Sequence, residues 1–480
     1  MDLKELILID KKNGVPDKII GDKYGVNLKY IEKIITENTG VNISNISNNN
    51  KKTNKLSPKD FRIEKNTVWS FKSRGNWATH NGNFRGNWSP YIPRNVILKY
   101  SKEDDLVLDY FCGGGTTGIE CKLLNRNFIG VDINPYAIEL AKQNTDFDGV
   151  FKNLFPIEIK FLTGDARNLS FIKNNSVDLI CSHPPYADII NYTTNTEGDL
   201  SHLKYDTFLE EIKKVADESF RVLKNKKYCA ILIGDMRKNK MIVPLGFSVI
   251  NKYLDAGFSL KELVIKRQHN CKTTGFWYTK SIKYNFFLLA HEYLAIFQKN
   301  TDSNSYINDN YATCTYTNSI KHEKIKPDSN ILSKLKKDLN LETTTVWIFN
   351  HNSWFENTLL NLLNRYSPEN YYISYNNNIN SSDMLDLIIV PSLDLASNNI
   401  DDNIKYLKKD GILGIICEDL RLDNGLIYPQ ALFLEKKFKE NKEIKLKEII
   451  IISLENNHDF INSSNNLNIT HKYLLVYQKN

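Results

Sequence analysis

Two short stretches of this chain combine residue types that do chemistry. The first, Asp109-Tyr-Phe-Cys-Gly-Gly-Gly-Thr-Thr117, follows the apolar run Leu106-Val-Leu108 and leads directly into a helical pattern. Gly113 and Gly115 let the backbone turn sharply and approach a ligand where a Cβ would intrude. Asp132 ends the next apolar run, Phe128-Ile-Gly-Val131, where a carboxylate can accept hydrogen bonds from both hydroxyls of a ribose. Asp165 follows a third such run. A glycine-rich turn alone is often only a turn; three acids, each placed after a strand, make it a nucleoside site. The turn lacks the Gly-Lys-Thr/Ser ending of a triphosphate site, and a threonine pair stands at its helix start. The second stretch is Ser182-His-Pro-Pro-Tyr186, after the apolar run ending at Cys181. Its prolines hold the backbone extended and rigid.

The elements that must position these residues alternate. Strand patterns occur at 106–109, 128–132, 159–162, 177–181, 228–233, 260–265 and 284–297, and helical patterns at 116–124, 135–144 and 206–223. This alternation predicts an α/β sandwich, Rossmann-like, around a mixed, mainly parallel sheet. No helical pattern separates the last two strands, which should pair antiparallel at one edge. Residues 1–45 read as helical, with a helix-turn-helix rhythm that turns at Gly25 and carries Lys29, Tyr30 and Lys33 on a polar side. Such a pair either touches DNA or simply packs on the body of the protein. Residues 46–60 have the asparagine-rich composition of a linker, and 67–97 hold so many Gly, Asn and aromatic residues that a folded loop into a short helix is expected.

Three stretches together resemble the amino-directed DNA methyltransferases, the adenine-N6 and cytosine-N4 enzymes: Val107 to Thr117, Phe128-Ile-Gly-Val-Asp-Ile-Asn-Pro135 and His183-Pro-Pro-Tyr186. The resemblance runs from about Thr67 to Lys299, inside an expected catalytic domain of 61–300. It implies S-adenosylmethionine as cofactor and double-stranded DNA as partner, with a cognate restriction endonuclease beside them. It further implies cofactor contacts by Asp109, Phe111, Gly113, Gly115, Thr116 and Asp132, an adenine contact near Asp165, and base contacts by Ser182, His183, Pro184, Pro185 and Tyr186.

Elementary chemistry accounts for such a tetrad. An exocyclic amine donates its lone pair into the ring and is a poor nucleophile. Two acceptors aimed at its hydrogens draw the nitrogen toward tetrahedral geometry and free that pair. The Pro184 carbonyl is one expected acceptor and the residue 183 side chain the other, while Tyr186 offers a face to a flipped base. His183 departs from the family pattern of Asp, Asn or Ser; a neutral imidazole still accepts one hydrogen bond. It either does so, or points away and leaves Ser182 or a backbone group to act. Cytosine-C5 methylation would need a nucleophilic cysteine after a proline, a pair the chain lacks. Farther on, Lys272, Trp277 and Tyr278 either line the DNA cleft or cap the sheet edge.

The remaining features set bounds. At 480 residues, two or three domains are expected. Seven dispersed cysteines with no Cys-x-x-Cys spacing read as reduced thiols in the cytoplasm, and no metal is expected. The net charge of +7 suits a polyanion, or reflects only an AT-rich coding bias. After a linker at 301–332, residues 333–480 repeat the first domain in decayed form. His291-Glu-Tyr-Leu-Ala-Ile-Phe-Gln-Lys-Asn300 returns as His471-Lys-Tyr-Leu-Leu-Val-Tyr-Gln-Lys-Asn480, Arg221–Arg237 as Lys405–Arg421, Asp178-Leu-Ile180 as Asp386-Leu-Ile388 and Leu123-Leu-Asn-Arg126 as Leu362-Leu-Asn-Arg365. On that alignment the glycine turn becomes Asn350-His-Asn-Ser-Trp354 and the tetrad Pro391-Ser-Leu-Asp394, so the second copy has lost its chemistry. It is left to contact DNA, supply target recognition or act as an internal dimer partner. Two rival readings stand beside DNA methylation: an RNA amino-methyltransferase, and a silent DNA-binding module that keeps the fold.

Overall fold

The protein is described by a computed structural model. It describes residues 2–12, 15, 17–27, 30–31, 33–34, 55–59, 61–82, 84–147, 157–190, 192–193, 196–269, 274–301, 342–366, 370–373, 384–390, 400–455 and 466–480.

Two helices open the chain, α1 (Leu3–Lys12) and α2 (Asp17–Tyr24), with further helical residues at 30–31 and 33–34. Gly25 turns the chain between them with φ +64°, a left-handed conformation that costs glycine little. Ile7, Ile20, Ile31 and Ile34 bury one another, so this unit has a small core of its own.

An eight-stranded sheet follows, ordered β1-β9-β10-β6-β5-β2-β3-β4. Its strands are β1 (Val68–Ser70), β2 (Leu106–Asp109), β3 (Asn127–Asp132), β4 (Ile159–Thr163), β5 (Val177–Ser182), β6 (Leu223–Gly234), β9 (Phe258–Arg267) and β10 (His291–Lys299); β7 (Met236–Lys238) and β8 (Met241–Val243) form a separate hairpin. The helices are α3 (Tyr91–Tyr100), α4 (Thr116–Leu123), α5 (Pro135–Thr145), α6 (Tyr205–Val222), α7 (Leu245–Asp255) and α8 (Thr274–Lys283). Neighbours among strands β2 to β6 pair parallel, which requires crossover connections between them. β10 runs antiparallel to both β6 and β9. The expected Rossmann-like sandwich is therefore present.

Two expectations at its far edge fail. The antiparallel pair is not the edge, because β1 lies outside β9 and parallel to it. A strand of three residues has no periodicity to read, and only this long-range pairing defines it. Nor is the expected strand at 284–297 one element: α8 precedes it and β10 begins at His291. The apolar pair that suggested an earlier start, Phe286-Phe287, is buried elsewhere; the Phe287 ring packs 5.6 Å from Trp347.

The C-terminal residues form a six-stranded sheet, ordered β11-β17-β18-β14-β13-β12. These are β11 (Val346–Asn350), β12 (Tyr371–Ile373), β13 (Leu385–Val390), β14 (Leu407–Cys417), β17 (Ile444–Glu455) and β18 (His471–Lys479); β15 (Leu420–Arg421) and β16 (Ile427–Tyr428) are a hairpin. The helices are α9 (Trp354–Tyr366), α10 (Ile400–Ile404) and α11 (Gln430–Phe438). The order repeats the first sheet from β1 to β2, and registers agree residue for residue: Leu179 pairs with Tyr228 as Leu387 pairs with Ile412, and Tyr293 with Ile233 as Tyr473 with Cys417.

The same registers correct part of the internal alignment. β11 pairs parallel with β17 as β1 does with β9, so β11 stands for β1 and not for the strand before the glycine turn. α9 stands for α3: Asn95 accepts the Glu64 N–H at 2.8 Å and Asn361 accepts the Glu342 N–H at 3.2 Å. Leu362-Leu-Asn-Arg365 therefore does not match Leu123-Leu-Asn-Arg126, and Asn350–Trp354 does not stand in for the glycine turn. An amphipathic helix after a buried strand recurs twice in this fold, which is why the wrong pair could be matched. β12 lies where β2 lies, and residues 374–380 after it, like the tetrad position at 391–394, fall outside the described residues.

Candidate active site

β2 ends at Asp109, whose carboxylate is buried beneath the turn. It accepts hydrogen bonds from Ser182 Oγ (2.6 Å), Thr117 Oγ1 (2.5 Å) and the Phe111 N–H (3.1 Å). Burial pushes its pKa up to about 6, against these hydrogen bonds. Asp109 thus ties the end of β5 to the start of α4 and does not line the cleft. Ser182 is fully buried for the same reason, and the idea that it serves a base in place of His183 is not supported by its position.

The turn itself is tightly constrained. Gly113 has φ +48°, and a Cβ there would meet the Phe84 ring at 2.8 Å. Gly115 has φ +82° and its Cβ would lie 2.9 Å from Ala141 Cβ, so this glycine serves the packing of α4 on α5 rather than the cleft. Thr116 is buried and donates to Asn87 Oδ1 at 2.9 Å, holding the upstream loop in place. At the end of β3, Asp132 accepts from the N–H groups of Gly113 and Asn134, both at 2.9 Å. Burial raises its pKa to about 6, with those two N–H groups pulling it down and Asp109 and Asp199 pushing it up. Asp165 is held by Arg167, 2.6 Å from one guanidinium nitrogen.

Phe111, Gly113, Asp132, Asp165, His183 and Pro185 line one open cleft of about 760 Å³. A second cavity of about 1200 Å³ adjoins it and shares His183, Trp88 and Tyr192. Tyr186 and Glu292 line this one, with Lys72, Arg74, Lys266, Arg267 and His269 among its walls.

Three aromatic wall residues, Phe84, Trp88 and Tyr192, were not foreseen from the sequence. Trp88 stacks on His183 with ring centroids 5.6 Å apart, and Phe84 stacks on Tyr192 at 6.1 Å. The glycine-rich loop that carries Phe84 and Trp88 is clamped by Arg74, which donates to the carbonyls of Asn87 and Trp88, both at 2.7 Å. It is anchored to α4 through Glu120, which accepts from Trp77, His80 and Arg94, each at 2.7 Å. The signal was the density of aromatic residues among glycines, but nothing local says which cavity they face.

Around the tetrad, His183 Nε2 lies 3.0 Å from Tyr186 Oη, Tyr186 Oη donates to Glu292 Oε1 at 2.7 Å, and Lys266 donates to Glu292 Oε2 at 2.7 Å. Burial holds the imidazole neutral, with a pKa near 4. Burial opposes ionisation of Glu292, yet the Lys266 ammonium beside it and the Tyr186 hydroxyl outweigh it and hold the carboxyl below the ordinary carboxylate range.

The other expected contacts lie elsewhere. Trp277 and Tyr278 are exposed on α8, with Lys280 over the Trp277 ring. Lys33 is exposed on the N-terminal unit, while Lys29 and Lys272 fall outside the described residues. Among the described residues, no cluster of three His, Cys, Asp or Glu could hold a metal, and no helix is long and apolar enough to cross a membrane.

Residues 2–143 match the DNA methylase family and residues 101–275 the methyltransferase-domain family. A type II methyltransferase of Moraxella bovis is 34% identical over 94 residues, 19% of this chain and 34% of the relative. One from Haemophilus parainfluenzae is 53% identical over 51 residues, 11% of this chain and 16% of the relative. A tRNA (guanine(10)-N2)-dimethyltransferase of Methanothermobacter thermautotrophicus is 30% identical over 128 residues, 26% of this chain and 34% of the relative. The chain thus covers about a third or less of these relatives. Among solved structures, a SAM-dependent methyltransferase from Methanosarcina mazei aligns at 18% identity and a TM-score of 0.31, over 43% of this chain and 97% of that one. The DNA methylase match spans the glycine turn and Asp132, and the methyltransferase-domain match spans these and the His-Pro-Pro-Tyr loop, so over these residues the chain is similar to the amino-directed DNA methyltransferases.

Proposed function

We propose that this chain methylates the exocyclic amine of adenine (N6) or cytosine (N4) at specific sites in duplex DNA, using S-adenosylmethionine, as the modification partner of a restriction endonuclease in the cytoplasm. The observation that carries it is a shared wall: His183 borders both the cleft that holds Gly113 and Asp132 and the adjoining cavity with its basic side chains.

The residues present fit this cofactor. The turn leaves no room for a Cβ at Gly113, Asp132 and Asp165 present acceptors to ribose and adenine groups, and Phe84, Tyr110 and Phe111 give an apolar wall. Bound there, the cofactor would supply a methyl group on a positively charged sulfur. The chain's own residues then do the positioning. The lysines and arginines around the second cavity receive phosphates, which makes DNA affinity salt-dependent. The cavity itself takes a base turned out of the stack, at a cost of a few kcal/mol. Its walls are aromatic: Trp88 and Tyr192 join Tyr186 as candidate stacking faces. His183 and the Pro184 carbonyl accept the two amine hydrogens, freeing the nitrogen lone pair for the methyl carbon.

Two substitutions separate binding from transfer. Tyr186→Ala abolishes methyl transfer and leaves cofactor affinity intact, whereas Asp132→Ala weakens the cofactor itself by about tenfold or more, the scale of a lost hydrogen bond to a charged group. Equilibrium binding of S-adenosylmethionine beside a transfer assay distinguishes them; equal behaviour of both variants would remove the site from this cleft. A second reading, transfer to an RNA amine, is favoured by one observation: the match to the tRNA guanine-N2 enzyme extends over 128 residues.

A further inference from the structure

Three groups behind the tetrad form a directed chain, and its direction decides what His183 can do. Lys266 and Glu292 sit side by side on paired strands, at register partners of β9 and β10. The ammonium donates to Glu292 Oε2 at 2.7 Å, which leaves Oε1 to accept the Tyr186 hydroxyl at 2.7 Å. Tyr186 has one proton, and the ionised carboxylate, a stronger acceptor than an imidazole nitrogen, takes it. Oη then meets His183 Nε2 at 3.0 Å with lone pairs only, so Nε2 must carry the proton. A neutral imidazole protonated at Nε2 has its lone pair at Nδ1. Among the described residues no hydrogen bond engages Nδ1, and Trp88 stacks on the ring and fixes its plane.

We propose that Glu292 and Lys266 are positioning residues: through Tyr186 they lock His183 in the Nε2–H tautomer, which makes Nδ1 the acceptor for an amine hydrogen of the target base. This rests on the amino-methyltransferase reading for its purpose, but not for its test. The usual acid or amide of this family accepts through oxygen whatever its surroundings. A histidine accepts only in the right tautomer; in the other it presents an N–H to an N–H. The chain therefore carries, at a distance of two side chains, the group that makes His183 equivalent to the residues it replaces. It also gives Tyr186 a second task beside stacking.

Glu292→Gln keeps shape and can donate to Tyr186 Oη through its amide, which turns the tyrosine proton toward His183 and reverses the tautomer. Nitrogen-15 spectra of histidine-labelled full-length protein, with His183 assigned from a His183→Asn variant, read the tautomer directly and need no DNA. The expected result is Nε2–H in the parent and Nδ1–H, or a mixture, in Glu292→Gln. An Nδ1–H signal in the parent, or no change in the variant, overturns the proposal even if DNA is methylated. In transfer assays Glu292→Gln should lower kcat on the order of 10²-fold, the scale of one oriented polar contact in a transition state, with little change in cofactor affinity. In a Tyr186→Phe background the same substitution should cost no more than about twofold, because the link is gone. An equal loss in both backgrounds would mean that Glu292 acts on the fold and not through the hydroxyl. A parent with the Nε2–H tautomer but no transfer to any nucleic acid would instead defeat the functional reading and leave the relay standing.

Discussion

Asp132 is the residue whose environment makes the clearest quantitative claim. With its pKa raised to about 6, the carboxylate is ionised at neutral pH and gains a proton below that value. A ribose hydroxyl donates to the ionised form, so cofactor binding favours ionisation, and affinity should fall as pH drops through about 6 and level off above 7. Calorimetric titration between about pH 5 and 8 checks this, and Asp132→Asn should flatten the profile; an unchanged profile in that variant would assign the proton to another group, such as Asp109. Residue types announced this site well. Gly113, Asp132 and His183 were recognisable because their chemistry is unusual where they stand. Asp109, Ser182, Thr116 and Gly115 were recognisable too, yet each turned out to serve the frame, since burial and the direction of a hydrogen bond depend on residues up to 73 positions away. Glu292 and Lys266 gave no signal at all. A charged pair on adjacent strands reads as an ordinary surface pair until one of its members is found under a tyrosine hydroxyl.

At the scale of elements, the strand–turn–helix from β2 to α4 is over-determined. Gly115 at φ +82° would place a Cβ 2.9 Å from Ala141 Cβ and 3.0 Å from its Cα, and helix backbone gives way less easily than a flexible side chain. Gly115→Ala should therefore cost about 1–3 kcal/mol from strain and overpacking, measured by urea unfolding. A cost near zero would mean that α5 is free to move away from the turn. The parallel strands and their helices were legible from hydrophobic period alone, because each is long and half- or fully buried. Short elements were not. β1 is three residues long and owes its existence to β9, and α8 lies next to residues 270–273, in a polar stretch where helix and loop compositions overlap. Residues 67–97 were expected to be a folded loop leading into a short helix, and β1 at Val68–Ser70 departs from that. The described residues around Phe84 and Trp88 form neither helix nor strand, and their place as the wall of both cavities follows from Arg74 and Glu120, which local sequence does not announce.

Across the whole molecule, the two sheets meet through contacts that come in reciprocal pairs. Arg421 binds Glu262 at 2.5 Å and Arg237 binds Glu448 at 2.5 Å. Thr67 bonds to His471 Nδ1 and Thr345 to His291 Nδ1, both at 2.8 Å. Behind these, Tyr293 donates to Asp235 and Tyr473 to Asp419, both at 3.0 Å. Equivalent residues touching one another's partners is the pattern of a two-fold, isologous interface, here realised inside one chain. Of the three roles left open for the C-terminal copy, these contacts fit the internal dimer partner. Glu262 is fully buried, so Arg421→Ala should destabilise the full chain by about 3 kcal/mol, and adding Glu262→Gln should recover part of that loss by removing the stranded charge. Denaturant unfolding of the single and double variants decides it; a single variant as stable as the parent would mean that the two sheets do not depend on this pair. The duplication was visible in sequence because the buried strands of the shared half kept their residues. Its first half was mismatched because, among the described residues, the second sheet has no strands in the places of β3 and β4, and local similarity had nothing to anchor it.

The central claim is that an amine of a DNA base is the methyl acceptor in the cavity beside His183. The most direct measurement incubates the full chain with methyl-labelled S-adenosylmethionine and duplex DNA or RNA, then hydrolyses the product and identifies the labelled nucleoside. The account predicts label in DNA as N6-methyladenine or N4-methylcytosine, lost in the Tyr186→Ala variant. Label confined to RNA, or none in any nucleoside despite measurable cofactor binding, would contradict it.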